Sequence, residues 1–225
     1  MNKIESALQV LDGVGEDEVI LMCSLGKDSL VCLDLAASKF KKVYCVFMYF
    51  VKGMEHIQRY ANWVKARYKN VEFVEVPHWN LTYIMRGGMY CVPNPHQKLY
   101  KLADVCKAMR AKFGVNTIIL GMKKADSINR NCMLKTYADN GYQNNGNVYP
   151  LAEWTQKDIL SYMKHHKLPT PVRYGKNASS GCGFNEDFFV WLENNCPQDL
   201  DKIYEIFPLS RRILFEYHSR EDKRA

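Results

Sequence analysis

The chain has no long apolar run. Its most hydrophobic stretches, Glu18–Cys23 and Val43–Val51, fall far short of the ~20 residues that cross a bilayer, so neither a membrane segment nor a membrane partner is expected. Met1-Asn2-Lys3-Ile4-Glu5 lacks the basic stretch and apolar run of a secretory signal, which makes the cytoplasm the expected location. Cys-x-x-Cys pairs are missing as well. The eight cysteines, at 23, 32, 45, 91, 106, 132, 182 and 196, are scattered, several of them inside apolar runs where a thiol behaves as a small hydrophobe. A disulfide scaffold, a zinc site and an iron–sulfur cluster are therefore not expected. No internal repeat is visible.

Two common phosphate loops are also absent. The Gly-x-x-x-x-Gly-Lys-Ser/Thr pattern would place glycine where Leu21 stands and a hydroxyl residue where Asp28 stands. The dinucleotide pattern Gly-x-Gly-x-x-Gly fails because Gly13 and Gly15 are followed by Glu18 and precede a strand instead of following one.

What is present reads as an ordinary globular chain. With 47% apolar and 24% charged residues over 225 positions, it can bury a substantial core and is not globally disordered. The formal charge of +7 suits an anionic partner, a nucleotide or a nucleic acid. The basic clusters at Lys39–Lys42 and Arg220–Arg224 read equally well as solvated surface.

Hydrophobic patterning gives the order of elements. Glu18–Cys23 is a buried strand closed by a turn at Ser24-Leu25-Gly26, and a helix follows from Asp28. Val43–Phe50 is so continuously apolar that a central parallel strand fits it best. A helix from about Met54 to Tyr68 and a strand over Val71–Val76 come next, ended by Pro77. After an irregular stretch to Pro95, a helix at about Gln97–Phe113 leads into the strand Thr117–Gly121. Asn140–Asn147 is a polar loop. Thr155 caps a helix to about His166, and Asn185–Asn195 and Gln198–Phe207 form further helices broken by Pro197 and Pro208. The expectation is an α/β, Rossmann-like parallel sheet over 1–150, with a helical C-terminal part over 151–225 packed on it.

The strand–Ser24-Leu25-Gly26-Lys27-Asp28-Ser29–helix segment presents backbone N–H groups and a positive helix end to an anion. Gly26 lets phosphate oxygens approach the backbone, Ser24 and Ser29 bring hydroxyls, and Lys27 brings a mobile charge. Asp28 would cap the helix or hold Mg2+.

Three stretches resemble one family. Ser24–Ser29 matches a Ser-x-Gly-x-Asp-Ser loop. Gly121-Met122-Lys123-Lys124-Ala125-Asp126-Ser127-Ile128-Asn129-Arg130 is similar to a Gly-x-Arg-x-x-Glu-Ser-x-x-Arg element, and Tyr149–Ile159 to a Pro-Leu-x-x-Trp-Thr-x-x-Asp-Val segment. In that order they resemble the PP-loop ATP pyrophosphatase superfamily and, within it, the phosphoadenosine phosphosulfate (PAPS) reductase-like branch. Lys123 stands where the branch often has Arg, and Asp126 where it has Glu.

The resemblance implies an adenine nucleotide alpha-hydrolase fold of the HUP type that binds an adenine nucleotide, ATP or PAPS, with Mg2+. The nucleotide contacts would come from Ser24, Leu25, Gly26, Lys27, Asp28, Ser29, Met48, Gly121, Lys123, Asp126 and Ser127. Lys27, Asp28, Lys123 and Arg130 would act on the phosphates. Met48 and Tyr49 suit adenine contact or core packing alike, and Trp154 suits packing. The implied reaction splits ATP between its α and β phosphates and passes the adenylyl group to an acceptor that the sequence does not name. A thiol-dependent reductase would need a Glu-Cys-Gly-Leu-His-like motif, whereas the chain closes on Tyr217–Ala225. Cys182, in Ser179–Asn185, resembles a Gly-Cys position whose second cysteine is replaced by Asn185; it reads as structural or as a reactive thiol. A nucleotide-binding module serving DNA or RNA sulfur modification, and a homo-oligomer, remain open. His78, His96, His165 and His166 read as surface, packing or proton-carrying residues.

Overall fold

The computed structural model describes residues 2–174 and 184–223. The chain divides into two compact units, one built from Met1–Phe47, Trp63–Glu75 and Cys106–Pro171, the other from Met48–Asn62, Val76–Val105 and Val172–Ala225. A boundary near residue 150 is therefore not where the packing divides, because the Thr155-capped helix lies in the first unit.

The sheet organises the first unit. Among the described residues it has six strands in the order β3-β2-β1-β4-β6-β5, with β1 Glu18–Met22, β2 Lys42–Tyr49, β3 Val71–Pro77, β4 Ile118–Leu120, β5 Gln143–Asn144 and β6 Asn147–Val148. β1 runs parallel to β2 from Glu18↔Lys42 to Met22↔Val46, and to β4 from Ile20↔Ile118 to Met22↔Leu120. Val19, Ile20 and Leu21 are fully buried. A strand covered on both faces cannot alternate polar and apolar residues, which is why β1 reads as an unbroken hydrophobic run.

The helix after β1, α2 (Lys27–Lys39), buries Leu30, Val31, Cys32, Leu33, Leu35 and Ala36. Asp34 is also buried. Its carboxylate accepts bonds from Tyr68 Oη at 2.6 Å and Tyr162 Oη at 2.9 Å, and lies 3.1 Å from His166 Nδ1. Burial first, and then the Asp34 charge, push both phenols well above the usual tyrosine range. They remain neutral donors: Tyr162 ties α2 to the helix over Gln156–His165, and Tyr68 ties it to the segment before β3. Thr155 caps that helix through Asp158, as its sequence predicts.

Some elements differ from the sequence expectation. A helix over Lys3–Asp12 precedes β1, capped by an Asn2/Glu5 box. The polar stretch 140–147 is mostly a β5–β6 hairpin whose turn, Asn145-Gly146, has positive φ at both residues (49° and 73°). That conformation matches the right-handed twist of paired strands, and Asn-Gly adopts it at little cost. In the second unit Leu81–Gly87 is helical, and the helix expected from Gln97 begins at Leu102. Pro197 opens the helix Pro197–Ile206 instead of breaking one, since its missing N–H is an orphan at the first helical position anyway. Glu186–Asn195 and Arg211–Glu221 are further helices of that unit. No helix among the described residues is long and apolar enough to cross a membrane.

A buried carboxylate anchors the second unit. Asp199, fully buried, accepts from the backbone N–H of Glu55 at 2.7 Å and of His56 at 3.3 Å, and from Lys202 Nζ at 3.0 Å. It thus caps a helix 144 residues away in sequence. The His56 ring lies 3.0 Å from Asp199 through Nδ1, while the edges or faces of Tyr174, Phe188 and Trp191 surround it. Its Nε2 is buried without a partner. Burial lowers the His56 pKa against the opposing pull of Asp199. Below ~6.5 an unfolded histidine takes up a proton that this ring resists, so the folded state loses stability as pH falls from there toward the folded value. Urea denaturation should show the midpoint falling over that window, and His56→Gln should flatten the fall. Parallel pH profiles for the two proteins would rule this account out.

Candidate functional site

All of the charged residues singled out by the sequence meet within the first unit. The strand order explains this. After β1 the chain moves to β2 on one side, and β4 returns on the other, so the carboxyl ends of β1 and β4 flank the point where the order reverses. Loops leaving that point open on one crevice.

The first loop leaves β1 through Cys23, whose N–H still bonds Val46 O at 2.8 Å. Leu25 then takes a left-handed conformation (φ 59°) with its side chain 4% exposed, a strain that a buried apolar side chain offsets. Gly26 is the N-cap of α2 and supplies no side-chain cap. The helix starts at Lys27, so Asp28 sits in its first turn and is not the cap expected from sequence. Ser24 Oγ accepts from Gly26 N–H at 3.4 Å, and Ser29 Oγ donates to Gly26 O at 2.9 Å. The hydroxyls shape the turn, and the amides of Lys27, Asp28 and Ser29, which have no carbonyl a turn behind them, form the positive end of the helix.

The second loop follows β4. A Cβ on Gly121 would lie 3.3 Å from the Asp28 carbonyl carbon and 3.4 Å from the Ser29 nitrogen, so any larger residue would push the end of β4 and the first turn of α2 apart by a few tenths of an ångström. Two residues on, Lys123 is 2% exposed and places Nζ 2.7 Å from Asp28 Oδ1 and 2.8 Å from Asp126 Oδ1. Nζ and Asp28 Oδ1 are sealed from solvent but not aligned as a hydrogen bond; their attraction is ionic. Arg130 Nη1 bonds Asp126 Oδ2 at 2.7 Å, and Lys27 Nζ lies 3.1 Å from Asp28 Oδ2. Ser127 caps the helix Ile128–Lys135 by accepting from Arg130 N–H.

The result is a chain of alternating charges, Lys27–Asp28–Lys123–Asp126–Arg130, with a net charge of +1. Burial acts to raise the Asp126 carboxyl, but bonds from the Lys123 ammonium and amide and from Arg130 outweigh it and hold its pKa below the usual range. Lys123, expected to face phosphates, faces carboxylates. The outer cations are the accessible ones, with side chains 35% exposed at Lys27 and 45% at Arg130.

The donor set does not suit magnesium at Asp28. Each Asp28 oxygen lies within 3.1 Å of an ammonium, and a divalent ion there would meet two positive charges in place of a free carboxylate. Among the described residues no group of three or more His, Cys, Asp or Glu side chains could hold a metal.

Other expected residues lie elsewhere. Met48 is half-buried near the end of β2 and belongs to the second unit. Trp154, 2% exposed, packs edge-on against Tyr162. His166 serves Asp34. Cys182 lies outside the described residues. A Lys124–Tyr142–Glu153 cluster, in which Lys124 Nζ donates to Tyr142 Oη at 3.0 Å and also pairs with Glu153, escaped the sequence reading because nothing links the three but the fold.

The phosphoadenosine phosphosulfate reductase domain matches residues 18–183. An adenosine 5'-phosphosulfate reductase of Geobacillus thermodenitrificans is 26% identical over 191 residues, covering 80% of this chain and 79% of the relative. An adenosine 5'-phosphosulfate reductase 2 of Bacillus subtilis is 24% identical over 173 residues, covering 74% and 71%. Among solved structures, a U34-tRNA thiolase of Methanococcus maripaludis aligns with a TM-score of 0.49 at 14% identity, over 93% of this chain and 78% of that one.

Removing the central cation should be costly. Lys123→Met leaves the inner oxygens of Asp28 and Asp126 facing each other, with only Lys27 and Arg130 on their outer sides, and breaking a buried pair in this way costs at most about 3–5 kcal/mol. Chemical denaturation measures it; a loss below about 1 kcal/mol, the size of an exposed pair, would show that Lys123 is not the tie between the two loops.

Proposed function

The chain belongs to the phosphoadenosine phosphosulfate reductase domain family, and from that membership we propose that it is an enzyme that binds ATP at Ser24–Ser29 and passes the adenylyl group to an acceptor oxygen. The observation that carries this reading is the first turn of α2, which has a glycine at its N-cap and no side-chain cap. Its amides and helix dipole are directed to an anion, and a polyphosphate tail satisfies them.

Roles follow from exposure. Lys27 and Arg130 are the cations free enough to turn toward phosphate, Arg130 with a fork that can bind two oxygens at once. Lys123, Asp28 and Asp126 hold the loop against the end of β4 so that those cations and amides are positioned before the nucleotide arrives. The acceptor oxygen attacks the α-phosphorus in line, the bond to the bridging oxygen breaks, and pyrophosphate leaves with its charge held by the α2 amides. Catalysis of this kind is mostly positioning.

A second reading, reduction of a sulfonucleotide by a thiol, is favoured by the named reductases among the relatives. It needs a thiolate. Burial raises the thiol pKa at Cys32, Cys91 and Cys106, which works against that chemistry at those positions; Cys182 or another cysteine would supply it.

Calorimetry with ATP and with PAPS, followed by incubation with α-labelled ATP, separates the readings. The expected result is ATP binding and release of AMP or adenylylated product with pyrophosphate. Lys27→Ala and Arg130→Ala should each weaken phosphate binding about tenfold to a hundredfold, and Gly26→Val should abolish it. Sulfite release from PAPS with reduced thioredoxin as the electron donor, lost in Cys182→Ser, would establish the reductase reading instead.

A further inference from the structure

The second unit contains a cavity of about 370 Å³ lined by Phe50, Asn80, Tyr83, Ile84, Met89 and Phe184. It shares no residue with the phosphate loop. We infer that this cavity is a binding site for a nucleobase, carried either by a free nucleoside or by an unpaired position of a nucleic acid.

Shape and chemistry support that occupant. The volume is near the lower end of the ~300–1,000 Å³ typical of small-ligand sites, enough for one ring system with its sugar. Three of the lining side chains, Phe50, Tyr83 and Phe184, are aromatic rings. Phe50 stacks on His78 with centroids 4.6 Å apart and planes 17° from parallel, and His78 leans on Trp79 at 5.4 Å and 31°. Phe184 meets Phe50 edge-on at 6.0 Å. Aromatic faces of this kind hold bases of any identity by stacking.

One lining group could read a ring edge. Asn80 stands at the N-cap of the helix Leu81–Gly87, yet its side chain makes no capping bond. A primary amide offers one acceptor and two donors side by side, which matches the hydrogen-bonding edge of a base and has no use in a purely apolar pocket.

The walls are also fixed in advance. Gly88 closes the helix in a left-handed turn (φ 72°), and Tyr90 is held in the same region (φ 63°), a conformation that costs a tyrosine energy. Backbone bonds from Met89 N–H to Ile84 O, Asn94 N–H to Met85 O and Leu209 N–H to Tyr90 O hold the strained turn in place. The turn presents Met89, 56% exposed, and the helix before it Tyr83, 37% exposed. The segment 76–105 carries Arg86, Lys98 and Lys101 against Asp104, a surplus of positive charge suited to the phosphates that accompany bases.

Saturation-transfer NMR on the full chain tests this, with uridine, cytidine and adenosine as probes and 5,6-dihydrouridine, whose ring is neither planar nor aromatic, as control. The base protons of the aromatic nucleosides should receive the transfer and those of dihydrouridine little. Asn80→Ala should weaken binding roughly fivefold to tenfold, and Phe50→Leu about tenfold, with unchanged circular dichroism. Gly26→Val, which alters only the phosphate loop, should leave the signals intact. A single-stranded hexanucleotide that binds more tightly than the nucleosides, with a salt-dependent affinity, identifies nucleic acid as the source; equal affinity identifies the free nucleoside. Equal transfer to dihydrouridine and uridine, signals lost with Gly26→Val, signals indifferent to both cavity substitutions, or no transfer at all would each overturn the inference.

Discussion

The candidate site depends on one buried ammonium. Lys123 lies between Asp28 on α2 and Asp126 after β4, sealed from water. Two parallel strands separated by nearly a hundred residues of sequence must end at the same level for those three side chains to meet. The β1–β4 register, Met22 opposite Leu120, sets that level, and the missing side chain at Gly121 removes the last obstacle. An ion pair this deep is poor evidence of stabilisation, because the desolvation of its members offsets most of the attraction. Its effect is geometric. It leaves only one relative position of the two loops in which no charge is buried alone, so the loop amides are in place without a ligand.

Much of this was legible in the sequence, for reasons that can be named. β1 and β2 are continuous apolar runs because both faces are covered, and the loop after β1 is a local pattern whose parts stay together in the fold. The cap at Thr155 is local as well. The helix Leu81–Gly87 was not legible, because glycines, prolines and aromatics crowd the stretch around it and mask a two-turn helix. The hairpin at 143–148 was present in the Asn145-Gly146 dipeptide, but strands of two residues give no alternation to flank it.

Long-range polar contacts form the other illegible class. Nothing in the sequence around Glu55 shows that its helix lacks a local cap, or that Asp199 supplies one from 144 residues away. The same holds for Asp34, whose charge inside a hydrophobic helix makes sense only once Tyr68, Tyr162 and His166 surround it. In both places a buried carboxylate joins segments distant in sequence, and its partners are recognisable only from the fold. Patterning therefore located the elements, whereas the ties between them emerged only from the structure.

The choice of lysine at 123 follows from the same geometry. A guanidinium is planar and directs five donors in a fixed fork, whereas an ammonium is compact and can rotate its three donors toward carboxylates on either side. Between Asp28 Oδ1 and Asp126 Oδ1, at 2.7 and 2.8 Å, the space suits the smaller group. A lysine there gives up bidentate phosphate contact and gains a closed position between the loops. The fork is then provided by Arg130, one helical turn beyond Asp126 and oriented by it. Buried Lys123 fixes the loops, and exposed Lys27 and Arg130 remain to meet a phosphate, so positioning and charge neutralisation fall to different residues of one continuous ionic chain.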